Sequence, residues 1–140
     1  MNRAVILGFL FLFFSGCDSN NDCYTIRKPA AYSILVHVSG TAQVADILFV
    51  IQGAISDTLR LEDRDLPWSI KLEKNNRMTE EETWVYLTAQ NQDSTGTIST
   101  ALVVNGEELI RDTQSGSNAI SSISYTILPG DYTEEVLQCP

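Results

Sequence analysis

Over residues 66–73, Leu66, Trp68, Ile70 and Leu72 alternate with Pro67, Ser69, Lys71 and Glu73, the period of a strand with one face buried and the other wet. A tryptophan carries roughly 200 Å² of surface into a core, so Trp68 is expected to nucleate the packing from a central strand. Residues 84–91 predict the next strand, with Val85, Leu87 and Ala89 inward and Trp84, Tyr86, Thr88 and Gln90 pointing away from the core. Between the two, residues 74–82 are polar and read as a solvated loop. Upstream, Tyr32, Ile34, Val36 and Val38 alternate with Ser33, Leu35, His37 and Ser39. Residues 44–51 are apolar almost without interruption, which suits a strand covered on both faces. Ile55, Leu59 and Leu61 share one face of a further strand, and Glu62-Asp63-Arg64-Asp65 reads as a charged turn after it.

Downstream, residues 97–104 place Ile98, Thr100, Leu102 and Val104 on one side. Asn105-Gly106 follows between apolar runs, a strong hairpin signal because both residues tolerate the positive φ of a type I′ turn. Residues 107–113 should pair back, and residues 119–128 supply a last strand with Ile123, Tyr125 and Ile127. Short strands at intervals of about 8–12 residues, with no helical period, indicate an all-β antiparallel sandwich. A small closed barrel would need similar strands and stays as the alternative.

The first sixteen residues have a different pattern. Arg3 precedes eleven apolar residues, 4–14, and Ser15-Gly16 leads to Cys17. Eleven residues are too few for a permanent helix across a bilayer, which needs about twenty. Phe14-Ser15-Gly16-Cys17 resembles the bacterial lipobox, with Phe14 where Leu is usual. The resemblance implies cleavage before Cys17 and acylation of its thiol, a membrane anchor through lipid in the bacterial cell envelope, on its periplasmic face or at the cell surface. An ordinary secretory signal is the alternative. The acidic residues after Cys17 resemble lipoprotein sorting signals, whose meaning differs between bacterial groups. The expected organisation is a signal peptide (1–16), an acylated cysteine and tether (17–31), a sandwich (32–128) and a C-terminal tail (129–140).

Removal of residues 1–16 leaves 124 residues, one domain's worth, with 8 basic against 18 acidic side chains. That net charge of −10 repels phosphate backbones, so nucleic acid is excluded as a partner; it also simply keeps a surface soluble. With Cys17 acylated, Cys23 and Cys139 remain as a candidate disulfide in an oxidising compartment, or as two free thiols. A metal site is disfavoured, because no Cys or His partner lies close at ligand spacing.

Catalytic signals are sparse. The single histidine, His37, occupies an alternating position in a strand, where a structural role is the simpler reading. Asp63 and Asp65 do not follow calcium-loop spacing, Ser115-Gly116-Ser117 lacks the context of a nucleophile elbow, and no loop is built to cradle phosphate. Neither an enzyme nor a cofactor is expected. Trp84 and Tyr86, two aromatics on an outer face, are instead candidate partner-binding residues, unless a loop or the C-terminal tail covers them.

Leu66-Pro67-Trp68-Ser69, then Leu87-Thr88-Ala89-Gln90-Asn91, then Val103-Val104-Asn105-Gly106 resemble, in that order, the extracytoplasmic domain of the mycobacterial MmpS membrane proteins. Val38-Ser39-Gly40 and Ala45-Asp46-Ile47 are similar to that family's opening strands, so the resemblance covers most of residues 32–128. It implies an immunoglobulin-like sandwich of about seven strands and a role as accessory to large multi-pass transporters. Those relatives are held by a transmembrane helix, whereas the lipobox resemblance implies a lipid anchor for this chain. The expected function is therefore a lipid-anchored accessory module of a transport or envelope-assembly complex, with a structural or surface-interaction lipoprotein as the alternative.

Overall fold

The computed structural model describes residues 23–139. Its strands follow in chain order: β1 (Tyr24–Pro29), β2 (Ile34–Gly40), β3 (Val44–Gly53), β4 (Asp57–Asp65), β5 (Trp68–Leu72), β6 (Thr83–Asn91), β7 (Thr97–Val104), β8 (Glu107–Ser115), β9 (Ile120–Ile127) and β10 (Thr133–Gln138). From β2 to β9 they build an antiparallel sandwich of two four-stranded sheets, ordered β5-β2-β7-β8 and β4-β3-β6-β9. The hairpins β3-β4 and β7-β8 stay within a sheet, and every other connection crosses to the opposite one. The sandwich has eight strands, one more than the MmpS resemblance implies, because β4 and β5 are separate strands, each an edge of its own sheet.

Alternation decides what is buried. Ile34, Val36 and Val38 on β2, Phe49 and Ile51 on β3, Leu87 on β6 and Leu102 on β7 are wholly inaccessible. Their neighbours one residue along point outward, as the pleat requires. The Asn105-Gly106 turn has φ of 50° and 86°, the two positive values a type I′ hairpin needs. Gly53 closes β3 at φ 113°, where any Cβ would run into the carbonyl of Glu82.

Four features differ from the expectation. Trp68 is buried at 8% exposure, yet its strand β5 is an edge; the sheet centres are β2 with β7 and β3 with β6. β3 is covered on one face only, with Val44, Leu48 and Val50 half-buried on the other. The run Glu62-Asp63-Arg64-Asp65 is no turn: β4 continues through it to Asp65, past a bulge opposite Ala45 and Ile47, with Asp63 at φ 50° and its N–H donating to Asp46 Oδ1 at 2.9 Å. Within 74–82, a short 3-10 helix (Asn76–Thr79) drives Met78 into the core at 1% exposure.

The largest correction concerns the ends. Residues 24–29 and 133–138, expected in a tether and a tail, are β1 and β10, paired antiparallel from Tyr24↔Gln138 to Pro29↔Thr133 as a separate two-stranded ribbon. A disulfide between Cys23 and Cys139 closes its outer end. At the inner end, the Ala30 N–H donates to the Tyr132 carbonyl at 2.8 Å, and the Tyr132 ring lies 5.1 Å from that of Tyr32.

Polar groups inside the sandwich are paired; among the described residues no buried side-chain donor or acceptor is left without a partner. Tyr32 Oη and Thr83 Oγ1 hydrogen-bond at 2.8 Å beneath the ribbon. At the opposite edge, Ser121 Oγ accepts the Thr100 N–H at 3.1 Å and donates to the Asp112 carbonyl at 3.0 Å, tying β7, β8 and β9 together. Its single proton is then committed, so Thr100 Oγ1 must be the donor in the 2.8 Å bond between the two hydroxyls. Asn91, fully buried, donates Nδ2 to the carbonyls of Thr95 and Gly116 and accepts the Asp93 N–H on Oδ1, which pins two turns at once.

Candidate functional site

The outer face of the β4-β3-β6-β9 sheet is set by the register of β6. Because Val85, Leu87 and Ala89 are buried to within 1% of full cover, the period of two sends Trp84, Tyr86, Thr88 and Gln90 outward. Cross-strand pairing then builds rows over that face. Trp84 lies between Gln52 and Thr126, Tyr86 between Val50 and Ser124, Thr88 between Leu48 and Ser122, and Gln90 between Asp46 and Ile120. The two aromatic rows contain no charged side chain.

Trp84 and Tyr86 form one unit. Their rings stack with centroids 5.9 Å apart and planes within 9°, and Trp84 Nε1 donates to Ser124 Oγ at 2.9 Å. The indole is thus held by a neighbouring strand on its polar edge and by the phenol on one face. Both residues are half-buried. Away from the ribbon, the same face dips into a depression of about 270 Å³ lined by Leu48, Arg60, Glu62, Thr88, Gln90 and Ile120. Ile120 is 57% exposed there. The face therefore grades from a neutral aromatic plate to a rim that carries both signs of charge, a surface suited to holding a partner by contact.

The opposite outer face, on β5-β2-β7-β8, carries His37. It lies in a row with Ser69 on β5 and Ala101 on β7, and Arg111 on β8 is next beyond Ala101. Partial burial lowers the imidazole pKa, the Arg111 guanidinium lowers it further and Glu108 opposes both, so the neutral form of His37 is favoured. Arg111 is engaged by Glu108 through Nε at 2.9 Å and Nη2 at 2.6 Å, which holds the Glu108 carboxyl below its usual range. That pairing leaves His37 beside a neutralised ion pair and a small side chain, a packing role.

The other sequence-predicted residues fall in different places. Cys23 and Cys139 meet at the ribbon's outer end with Cα atoms 4.2 Å apart. Asp63 and Asp65 sit on edge strand β4, and among the described residues no group of three or more His, Cys, Asp or Glu is placed to hold a metal ion. Cys17, the expected lipid attachment point, lies outside the described residues. Ser124 and Ile120, which complete the face, carried no signal of their own in sequence: a serine and an isoleucine in a strand gain meaning only once β9 is known to pair with β6. Compared with known protein families and with curated proteins, the chain matches none.

Proposed function

We propose that the chain is a bacterial envelope lipoprotein, acylated at Cys17, that acts by contact through the outer face of its β4-β3-β6-β9 sheet. The observation that carries this reading is the stacked Trp84–Tyr86 pair, held by Ser124 on the solvent side of β6 while its strand neighbours fill the core. Half-buried aromatics fixed in one conformation on an outer face lose little entropy on binding, which is why such side chains serve as anchors in interfaces. The partner is a transport or envelope-assembly complex, a choice that rests on the motif resemblance to MmpS domains alone. A lipid anchor confines the domain to the membrane, so a modest intrinsic affinity suffices for such a partner.

The test has two parts. Cys17→Ala should abolish incorporation of a fatty-acid analogue and leave unprocessed precursor; equal labelling of variant and wild type would remove the anchor. A photo-crosslinking residue at position 86 should then capture an identified transporter or assembly protein in intact envelopes, with Trp84→Ala abolishing capture while the fold persists. Crosslinks to no such component, together with unchanged export and envelope composition on deletion, would replace this reading with that of a surface-interaction lipoprotein.

A further inference from the structure

Four large apolar side chains are more than half exposed among the described residues: Tyr24 at 54%, Ile120 at 57%, Leu128 at 51% and Leu137 at 66%. Two of them, Tyr24 and Leu137, belong to the two outermost rungs of the ribbon, Tyr24↔Gln138 and Thr25↔Leu137. Those rungs hold no charge. The first charged rung is Arg27↔Glu135, where the side chains form an exposed ion pair at 3.4 Å.

We propose that the outer end of the β1–β10 ribbon is a second membrane contact, with Tyr24 and Leu137 seated at the headgroup–acyl boundary of the bilayer. The inference rests on the anchor at Cys17 and adds to it an orientation for the whole domain. Adjacent rungs send their side chains to opposite faces, so Tyr24 and Leu137 project from opposite sides of the ribbon. A protein surface docked on either side would cover one of them and leave the other in water. Insertion end-on covers both.

The chain outside the described residues points to the same occupant. Five residues separate Cys17 from Cys23, so the ribbon's end stays within about 20 Å of the acylated cysteine even at full extension. The disulfide keeps the two strand ends together, which delivers both apolar side chains to the surface at once. Tyrosine suits the boundary, with an apolar ring and a polar tip, and Arg27, Lys28, Glu134 and Glu135 would lie above it in water. The chain's acidity selects the lipid: contact should be made with a zwitterionic surface, since an anionic one would repel Asp18 and Asp22 of the tether.

The test uses the mature acylated protein in phosphatidylcholine vesicles whose acyl chains carry bromine as a contact quencher. Tryptophan is introduced by Leu137→Trp at the ribbon's end and, in a second variant, by Ile120→Trp at the opposite end of β9; both positions are exposed, and parent emission is subtracted. The Leu137→Trp signal should fall about twofold or more, as expected for a group 5–10 Å inside the boundary, and the Ile120→Trp signal should be unchanged. With Cys17 shown by mass to be acylated, an unquenched Leu137→Trp, or equal quenching at both positions, would overturn the ribbon contact and leave the anchor standing. A mass showing unmodified Cys17 would remove the anchor and the ribbon contact together.

Discussion

The sandwich and the ribbon use the same antiparallel ladder and are held by different forces. In the sandwich every strand from β2 to β9 lends one face to a shared core, whose centre, around Phe49, Ile34 and Leu87, is closed to water. In the ribbon, Ile26 and Val136 are half-buried and every other residue of β1 and β10 is exposed. A two-stranded ladder in water is marginal at best, so hydrogen bonds do not explain why the ribbon persists. It has two supports: Tyr132 packed on Tyr32 at the base, and a covalent clamp at the outer end. Burial stabilises the one region, and loop closure the other.

Mutations that empty the core should widen the difference most. Phe49→Ala, at a fully buried centre, should cost about 3–5 kcal/mol in urea unfolding, and Trp68→Ala a similar amount despite its edge strand. Trp84→Ala should cost less than either, about 1–2 kcal/mol, since the indole is only partly buried. A loss at Trp84 equal to that at Trp68 would mean that the outer face is structural.

Cys23→Ser with Cys139→Ser should cost about 2–4 kcal/mol of global stability by freeing the unfolded chain. Hydrogen exchange should show a further local effect, with β1 and β10 amides losing more protection than those of β3 and β6, which lose only the global share. Uniform loss across all strands would show that the ribbon and the sandwich fold as one unit. Tyr32→Phe tests the joint between them. It strips Thr83 Oγ1 of its buried partner and should cost about 1–2 kcal/mol, with the ribbon's anchoring ring still in place.

The smallest effect lies in pH. Burial, helped by Arg111, puts the folded His37 pKa below its ordinary value of 6.5, so the folded state binds this proton less readily than the unfolded chain. Its stability is therefore fully present above the unfolded pKa and declines as pH falls through that value toward the folded one. Because His37 is only partly buried, solvent screens the effect, and His37→Gln should flatten the profile between pH 7 and 5 by less than about 1 kcal/mol. An unchanged slope would assign that pH dependence to other groups.

The contrast also explains what the sequence disclosed. Alternation at Tyr32 to Val38 and at Val85 to Ala89 fixes which side chains enter a core, and the outward pair Trp84 and Tyr86 follows from the same parity. Parity does not name a strand's neighbours, so Trp68 could be placed inside but not at an edge. Met78, one apolar residue in a polar stretch, has no period to betray it. β1 and β10 bury no face, so no pattern marked Tyr24 to Pro29 or Thr133 to Gln138 as strands; only the two cysteines hinted that the ends meet. Of the candidate site, the aromatics were legible and their setting was not, because Ser124 and Ile120 reach the face through pairings distant in sequence.

Edge strand β4 has a bearing on crowding. An open edge is a template onto which another chain can add a strand, and the lipid anchor proposed at Cys17 would concentrate copies in two dimensions, where such additions spread into aggregates. β4 carries Asp57, Arg60, Glu62, Asp63, Arg64 and Asp65 along nine residues, and the bulge near Asp63 breaks the regular spacing an incoming strand would need. Copies packed side by side on a membrane would thus be kept from zipping together along this edge.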